Sequence, residues 1–230
     1  MTQMADLLYL QTSELCRHYR RGPQTVRALD GVSIDVRRGE FLSVVGSSGS
    51  GKSTLLNLMA GLDSPTSGEV MLEGASLRAM TRRQRAGYRA AKAGMIFQSF
   101  NLVSHYNALQ NVESALLFGP MARRERRSKA GEILERLGLA DRMTHRPADL
   151  SGGEQQRVAV ARAIVKDPEI LFADEPTGNL DLENARQIAD LLKELNAKGL
   201  TIIIVTHNPD LAREYAQRSI RMQYGKVVTP

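Results

Sequence analysis

The pattern of apolar and polar positions in this 230-residue chain changes character along its length. Residues 7–45 alternate apolar and polar positions, as in VSIDV, and end in the apolar run FLSVV, which is typical of strands. Further on, helices predicted at 153–165 and 183–197 alternate with the short apolar runs ILFA and TIIIV. Strands that alternate with helices favour a parallel sheet covered on both faces, so we predict an α/β fold.

The middle of the chain is mostly polar and has helical spacing, with helices predicted at residues 107–117 and 121–137. We therefore interpret residues 100–150 as a helical lobe inserted into a single α/β domain that spans the whole chain. The core of that domain is expected to comprise residues 1–99 and 151–230.

The composition is that of an ordinary globular chain, with 42% hydrophobic and 24% charged residues. No stretch approaches the ~18 consecutive apolar residues needed to span a membrane, and the N-terminus lacks the features of a signal peptide. The single cysteine, Cys16, cannot form an internal disulfide and has no nearby metal-ligand companions. We interpret Cys16 as a small buried hydrophobe in a strand and expect a cytoplasmic protein.

The net charge of +6 permits a nucleic-acid or membrane-surface partner without requiring one. Much of the excess lies in two clusters, Arg82, Arg83, Arg85 and Arg89, and Arg123, Arg124, Arg126, Arg127 and Lys129. Both clusters lie in predicted helices, where a solvated face is the simplest interpretation. Because few aromatic residues lie between the arginines, a stacking surface for single-stranded nucleic acid is not indicated, and we expect no nucleic-acid partner.

A glycine-rich loop, GSSGSGKST at residues 46–54, follows the strand FLSVV and precedes a predicted helix. This is the context in which the motif G-x-x-x-x-G-K-[ST] cradles phosphates with backbone N–H groups. Lys52 supplies a cation for the β- and γ-phosphates, and Ser53 offers a hydroxyl to Mg²⁺. The alternative, a glycine-rich turn that carries a lysine by chance, fits this context less well. The predicted phosphate-binding residues are Gly46, Ser47, Ser48, Gly49, Ser50, Gly51, Lys52, Ser53 and Thr54.

Two adjacent carboxylates, Asp174 and Glu175, end the apolar run ILFA. Successive strand side chains point to opposite faces, so we expect Asp174 to hold the Mg²⁺ shell and Glu175 to polarise the attacking water. The alternative, that one of them only caps the turn at Pro176, is improbable beside a phosphate loop. Gln98 and His207 also follow short apolar strands, at the edge where open α/β sheets gather ligands. Alone, each of these two is usually only a satisfied polar residue.

A second glycine-rich stretch, LSGGEQQR at residues 150–157, opens a predicted helix and therefore also looks like a phosphate cradle. It contains no lysine, and no strand feeds directly into it, so it lacks the parts needed to hold a nucleotide alone. Its place in the chain leaves three interpretations: a redundant site, a structural turn, or a cradle for a phosphate held by another molecule.

The motifs GSSGSGKST, LSGGEQQR, ILFADEP and GNLD, together with Gln98 and the Thr-His pair at 206–207, resemble those of ATP-binding-cassette (ABC) ATPases in order and approximate spacing. The resemblance covers essentially the whole chain, and the signature LSGG is its most discriminating part. It implies a P-loop NTPase core with a mostly parallel sheet, an N-terminal antiparallel β subdomain and an inserted helical subdomain. It also implies ATP and Mg²⁺ as cofactors.

The same resemblance implies residue roles. Glu175 is similar to the catalytic glutamate, and His207 to the switch histidine that contacts the γ-phosphate. Gln98 resembles the Q-loop glutamine that touches Mg²⁺, and Tyr19 resembles the aromatic residue that stacks on adenine. The Mg²⁺ site would include Ser53, Gln98 and, through water, Asp174. The signature residues expected to complete a partner's ATP site are Ser151, Gly152, Gly153 and Glu154, and the D-loop residues at the dimer interface are Asn179, Leu180 and Asp181.

The blocks HRPADLSGGE and DEPTGNLD resemble the ABC group that serves lipoprotein release, macrolide export and mechanical transmission at the inner membrane. Asn107 and Gln110 depart from the Thr and Glu that this group often has, in a segment that looks like membrane-partner contact surface. We expect a stand-alone nucleotide-binding subunit on the cytoplasmic face of the inner membrane. It would dimerise head to tail on ATP and drive transmembrane permease subunits that contact the helical subdomain and the Q-loop region.

Two other classes of function remain open. An ABC ATPase of a mechanical or peptide-sensing complex would hydrolyse ATP without moving a substrate across the membrane. A soluble ABC ATPase that acts on DNA or ribosomes is less favoured, because the sequence shows no long coiled-coil insertion, no zinc cluster and no second cassette. A salt-dependent DNA-binding assay tests for the soluble, DNA-associated class. The identity of a co-purifying membrane protein distinguishes a transporter from a mechanical or peptide-sensing complex.

Overall fold

The computed structural model of the chain describes residues 8–228, apart from the side chain of Arg21. Leu7, where the first predicted strand begins, lies outside the described residues. The strands within this range are β1 Leu8–Arg21, β2 Gln24–Arg37, β3 Phe41–Val45, β4 Ser67–Leu72, β5 Ala75–Ser76, β6 Ala93–Ile96, β7 Ile170–Asp174, β8 Thr201–Thr206, β9 Arg218–Gln223 and β10 Lys226–Val228. The α-helices are α1 Lys52–Met59, α2 Arg82–Ala91, α3 Ala108–Glu113, α4 Arg123–Arg136, α5 Gly152–Ile164, α6 Leu182–Ala197 and α7 Pro209–Tyr215.

Two sheets organise the fold. The larger has the strand order β10-β9-β3-β8-β7-β6, and β3 at its centre runs parallel to both β8 and β9. The strands β6 and β7 continue the parallel arrangement, and β10 pairs antiparallel with β9. The smaller sheet is antiparallel, with the order β2-β1-β4-β5. The predicted fold class, a mostly parallel α/β core with an N-terminal antiparallel sheet, is confirmed.

Both faces of the larger sheet are covered, as its unbroken apolar strands require. On one face Phe172 and Ile203 pack with Leu55 and Met59 of α1 and with the smaller sheet. The opposite face packs against α5 and α6, through Leu171, Ala173, Val160, Ile188 and Leu192. Each fully buried valine, leucine, isoleucine, phenylalanine or methionine among these residues contributes about 1.5–3 kcal/mol of hydrophobic stabilisation. The loops that follow the carboxyl ends of β3 and β7 therefore start from a rigid sheet.

A third apolar cluster joins the helical lobe to α5. It includes Ala108, Leu109, Val112, Leu134, Leu139 and Leu150 of the lobe and Val158 of α5. The predicted helix 107–117 is shorter than expected: α3 ends at Glu113 and a 3₁₀ turn follows at Ser114–Leu116. Ser114 donates its hydroxyl hydrogen to the carbonyl oxygen of Asn111 at 2.7 Å, and this i−3 bond favours the tighter turn. No helix among residues 8–228 is long and apolar enough to cross a membrane.

The two positions that depart from the group pattern, Asn107 and Gln110, cap α3 together. The Asn107 side chain accepts from the Gln110 N–H at 2.8 Å, and the Gln110 side chain accepts from the Asn107 N–H at 2.9 Å. This is a complete capping box made from uncharged residues, so the departure preserves the start of the helix.

Candidate functional site

The glycine-rich loop between β3 and α1 is packed so tightly that two of its glycines leave no room for a side chain. A Cβ atom on Gly46 would overlap with the carbonyl oxygen of Met222, and one on Gly51 would overlap with that of Ala28. Gly51 also has a φ of 100°, in the left-handed region that favours glycine. Neighbouring strands therefore hold the loop backbone in one shape.

The N-terminus of α1 has the features of an anion-binding site. Gly51 caps the helix without a side-chain hydrogen bond, and the first turn carries no acidic residue, so its free N–H groups remain available. Lys52 is buried, and its ammonium group donates to the carbonyl oxygens of Gly46 at 2.8 Å and Ser47 at 3.0 Å. The loop thus wraps around a cation at its centre, which is the geometry that binds a phosphate chain.

Ser53 and Asp174 form the oxygen pair next to this cradle. The Ser53 hydroxyl donates to Asp174 Oδ1 at 2.9 Å, which joins the start of α1 to the end of β7. Burial raises the pKa of the Asp174 carboxyl, while the hydrogen bond from Ser53 opposes that shift. Hydroxyl and carboxylate oxygens are the ligands that Mg²⁺ prefers, so this pair suits that ion.

Glu175 contacts His207. One of its carboxylate oxygens accepts from the His207 backbone N–H at 3.3 Å and lies 3.0 Å from the Nδ1 atom of the same residue. Glu175 has a φ of 47°, a left-handed conformation that costs a non-glycine residue about 1–3 kcal/mol. The Glu175 side chain is 11% exposed whereas that of His207 is 63% exposed. The two carboxylates thus have different partners, Ser53 for Asp174 and His207 for Glu175. Strand alternation does not explain this difference, because β7 ends at Asp174 and Glu175 has left the strand conformation.

A single cleft of about 650 Å³ brings the predicted catalytic and phosphate-binding groups together. The predicted residues that line it are Ser48, Gly49, Ser50, Gly51, Lys52, Ser53, Thr54, Gln98, Glu175 and His207. Sequence reasoning missed three further lining residues, Val26, Arg27 and Ala28 of β2. No motif marks these three, because only the folded packing of β2 against the loop brings them to the cleft.

Tyr19 is not among the described residues that line this cleft. Its hydroxyl donates to Asp63 at 2.9 Å, and the Arg17 guanidinium lies 4.6 Å from the centroid of its ring. Tyr19 is paired with Val26 across β1 and β2, so it lies one strand away from the cleft lining. The adenine contact implied by the resemblance stays a prediction.

The signature segment forms the start of α5. The Ser151 hydroxyl accepts from the Glu154 N–H at 3.3 Å, and a Glu154 carboxylate oxygen accepts from the Ser151 N–H at 2.8 Å. Arg142 donates to the other oxygen of Glu154 at 2.8 Å. The hydrogen bond from Ser151, followed by that from Arg142, lowers the pKa of Glu154 to about 2. Among the described residues, no signature residue lines the cleft of its own chain.

The D-loop lies between the signature and the Q-loop. Asn179 donates from its side chain to the carbonyl oxygen of Gln98 at 2.8 Å. A Cβ atom on Gly152 would lie 3.6 Å from the Leu180 side chain, so the signature packs beside the D-loop. Asp181 caps α6 by accepting from the Asn184 N–H at 2.9 Å. The fold therefore links three of the predicted segments through direct contacts within one chain.

The interpretation of Cys16 needs correction. Cys16 is only partly buried, and its thiol accepts from the Gly31 N–H at 3.2 Å. The prediction that it has no metal-ligand companions is wrong, because the fold gathers His18 and Asp30 beside it. Asp30 lies on the next strand, and the strand pairing that brings it close is not visible in the sequence.

Comparisons with known proteins agree with this geometry. The ABC transporter family matches residues 29–178. The chain is 43% identical over 226 residues to the lipoprotein-releasing system ATP-binding protein LolD of Pseudomonas syringae pv. tomato, covering 98% of this chain and 99% of that protein. It is 44% identical over 220 residues to the macrolide export ATP-binding/permease protein MacB of Hyphomonas neptunium, covering 96% of this chain but 34% of that protein.

A solved structure gives the same picture. The dimeric, post-hydrolysis structure of the ATP-binding cassette MJ0796 bound to ADP and Pi superposes with a TM-score of 0.89 and 40% sequence identity. The match covers 96% of this chain and 97% of that chain. The resemblance deduced from the motifs is confirmed. The chain belongs to the ABC transporter family and is an ATP-binding cassette ATPase.

Proposed function

We propose that the chain is the nucleotide-binding subunit of an inner-membrane ABC complex, and that it dimerises on ATP to drive separate transmembrane subunits. The observation that carries the catalytic part is the convergence of Lys52, Ser53, Gln98, Glu175 and His207 around one cleft. These groups supply a phosphate cradle, oxygen ligands for a metal, and a carboxylate held beside an imidazole. Together they match the requirements of ATP hydrolysis.

Residues 46–54 bind the phosphates of ATP. Lys52 exchanges its bonds to the carbonyl oxygens of Gly46 and Ser47 for bonds to the β- and γ-phosphates, while the N–H groups at the start of α1 hold the same oxygens. Tyr19 is proposed to contact adenine, in a region that also contains its strand partner Val26. The affinity for ATP then depends on hydrogen bonds between the charged Lys52 and the phosphates, which are stronger than hydrogen bonds between neutral groups.

Ser53, Gln98 and Asp174 hold Mg²⁺, with Asp174 acting through water. Their hydroxyl, amide and carboxylate oxygens form the hard donor set that this ion requires. When bound, the ion neutralises charge on the β- and γ-phosphate oxygens. The Ser53–Asp174 hydrogen bond supports the assignment, because it already holds two of the three oxygen ligands next to each other.

Glu175 orients the attacking water and accepts its hydrogen bond, and His207 steadies the γ-phosphate. The Glu175 carboxylate is buried and fixed by the His207 N–H, so little reorganisation precedes attack. His207 is largely exposed on its other side, where it can reach a phosphate in the cleft. A strained backbone at Glu175 is consistent with a position selected for chemistry.

Two chains close head to tail, so that the signature of one completes the ATP site of the other. Ser151, Gly152, Gly153 and Glu154 form the start of α5 but lie outside the cleft of their own chain. The capping box uses the N–H groups of Ser151 and Glu154, so those of Gly152 and Gly153 are the ones available to a partner's phosphate. The positive end of α5 would add to the stabilisation of the γ-phosphate charge. The D-loop, Asn179, Leu180 and Asp181, lies beside the signature and would cross the same interface. The dimeric MJ0796 cassette supports this arrangement.

Mixing two defective chains tests catalysis in trans. A Ser151→Arg chain retains its cradle, and a Lys52→Ala chain retains its signature, so a mixed dimer contains one complete site while each pure dimer contains none. We expect ATPase activity to appear on mixing and to depend on the ratio of the two chains. Activity that stays absent at every ratio, with both variants folded by circular dichroism, would contradict the arrangement.

The helical subdomain, residues 100–150, is proposed to contact the transmembrane subunits together with the Q-loop region. Its surface exposes Phe118 at 92% and Leu117 at 49%, next to the arginines at the start of α4. Large exposed apolar residues of this kind mark interaction surfaces. The names of the LolD and MacB relatives support export or lipoprotein extraction, with the chain peripheral on the cytoplasmic face of the inner membrane.

An ABC complex that transmits force or senses a peptide without transport is the alternative. Purification of the native complex from mild detergent, followed by identification of the membrane subunit, distinguishes the two. A permease that moves a substrate only with ATP in proteoliposomes supports transport. A membrane subunit whose conformation responds to ATP while no substrate crosses supports the alternative.

A further inference from the structure

We propose that Cys16, His18 and Asp30 form a binding site for a soft divalent cation, with Zn²⁺ the best fit, on the antiparallel sheet. Each residue offers one ligand atom, and the three atoms all lie within 4.8 Å of one another. The site is separate from the Ser53–Asp174 pair that suits Mg²⁺. It adds a second metal function to the cassette, one that the proposed ATPase chemistry does not use.

The local strand geometry explains why the three residues meet. Cys16 and His18 are two positions apart on β1, so their side chains point to the same face. The pairing of β1 with β2 shifts between Leu15↔Val32 and Arg17↔Leu29, which leaves one extra residue on β2. β-bulges of this kind change the direction in which side chains point, and they are frequent next to functional sites. Here it places Asp30 opposite Cys16.

A glycine makes this bulge possible. Gly31 has a φ of 75°, in the left-handed region, and its N–H donates to Cys16 Sγ at 3.2 Å. The Cys16 thiol also donates to the carbonyl oxygen of Glu14 at 3.6 Å. A metal ion would displace that thiol proton and take the sulfur atom as a ligand. The bulge therefore assembles the three ligands.

The other two ligands also have capacity for a metal. His18 Nε2 is shielded from solvent and has no hydrogen-bond partner among the described residues, so a polar atom is left unsatisfied unless something binds it. The Asp30 Oδ2 atom lies 3.4 Å from the Lys226 ammonium and 3.9 Å from the Arg27 guanidinium. A carboxylate has two acceptor oxygens, so Asp30 can bind a cation beside these two partners. We assign His18 Nε2 and one Asp30 carboxylate oxygen as ligand atoms.

The donor set selects the kind of metal. A thiolate, an imidazole and a carboxylate together suit Zn²⁺, whereas Mg²⁺ prefers oxygen alone. Zn–S and Zn–N bonds of about 2.3 and 2.0 Å place tetrahedral ligands about 3.5 Å apart, so small side-chain rotations close the site. Three protein ligands leave a fourth position for water. Metal binding would fix β1 where Arg17 and Tyr19, on its opposite face, contact Asp63.

Titration of the metal-free full chain, without a histidine tag, with Co²⁺ in place of Zn²⁺ tests the site. Because Cys16 is the only cysteine in the sequence, a sulfur-to-cobalt charge-transfer band can arise from this residue alone. We expect one Co²⁺ per chain, competition by Zn²⁺, and a higher melting temperature with Zn²⁺. We expect Cys16→Ser to abolish the band, and His18→Gln and Asp30→Asn each to weaken binding at least about tenfold.

His105→Gln is the matched control, because His105 is an exposed histidine of the helical lobe. It should bind Co²⁺ like the unmodified chain. The proposal is overturned if no band forms, or if His18→Gln and Asp30→Asn, both folded by circular dichroism, bind as tightly as the control. Half a Co²⁺ per chain with a metal-dependent dimer would also overturn it, since Cys16 would then bind metal between two chains.

Discussion

Asn184 occupies the space that a Cβ atom on Gly153 would need. Gly153 lies in the first turn of α5, and Asn184 lies in the first turn of α6. The Asn184 side-chain amide donates to Asp181 at 2.6 Å, which holds it against the signature helix. The signature glycine therefore also serves the packing of two helices in one chain, independently of any nucleotide.

Gly153→Ala should destabilise the chain by about 1 kcal/mol. The new methyl group displaces Asn184 at a cost of about 1–3 kcal/mol, and the better helix propensity of alanine offsets up to about 1 kcal/mol of this. Urea unfolding of the purified chain measures the difference. Gly152→Ala is the control, because its nearest neighbour would be an ordinary contact at 3.6 Å, so its stability should not fall.

A double-mutant cycle assigns the effect to this pair. Asn184→Ala removes the obstructing side chain, so Gly153→Ala introduced into that background should no longer destabilise. Equal destabilisation in both backgrounds would show that Asn184 is not the cause.

Glu175→Gln should bind ATP normally and hydrolyse it about 10²–10⁴ times more slowly. Glutamine keeps the size of the side chain and its hydrogen bond to the His207 N–H, but it cannot accept a proton from water. Phosphate release measures turnover, and size-exclusion chromatography with ATP should detect a stable dimer. Near-normal turnover would remove Glu175 from the catalytic role, and the exposed Glu183→Gln provides the control.

Lys52→Ala should weaken ATP binding at least about tenfold, because a charge-assisted hydrogen bond in a buried site contributes about 1.5–3 kcal/mol. Titration with a fluorescent ATP analogue measures the affinity. The exposed Lys198→Ala should bind like the unmodified chain. Unchanged affinity in Lys52→Ala would mean that the ammonium group only holds the loop through Gly46 and Ser47.

Glu154→Gln should lower the free energy of unfolding at pH 7 by about 1 kcal/mol, because the charged member of the capping box is lost. The pKa of Glu154 falls from 4.5 to about 2 on folding, so its carboxylate stabilises the chain above pH 4.5. That contribution disappears as the pH falls from 4.5 towards 2. Unfolding curves at pH 7 and pH 3.5 should therefore show a smaller difference at pH 3.5, whereas the exposed Glu135→Gln should change neither.

The sequence predicted the parts of the site that depend on local chemistry. The loop around Lys52 and the carboxylates after β7 are contiguous motifs, and each lies at the end of an apolar strand whose direction the pattern predicts. The orientation of Glu175 was not predictable in this way, because β7 ends at Asp174 and Glu175 has a φ of 47°, outside the range of strands.

The features that sequence reasoning missed depend on how distant segments pair. Asp30 reaches Cys16 only through the shifted register of β1 against β2, and Val26 reaches the cleft only through the packing of β2 against the phosphate loop. A bulge displaces every later residue of a strand by one position, and no apolar pattern in these partly exposed strands reveals it. The contact between Gly153 and Asn184 likewise depends on the packing of α5 against α6.

The central position of β3 has a consequence for synthesis of the chain. Both of its neighbours, β8 and β9, come from residues 201–223, whereas the phosphate loop that β3 carries ends at Thr54. A nascent chain on the ribosome therefore contains the complete loop long before it contains the strands that hold it. A truncated translation product that stops before β8 would therefore contain the complete loop but neither strand partner of β3.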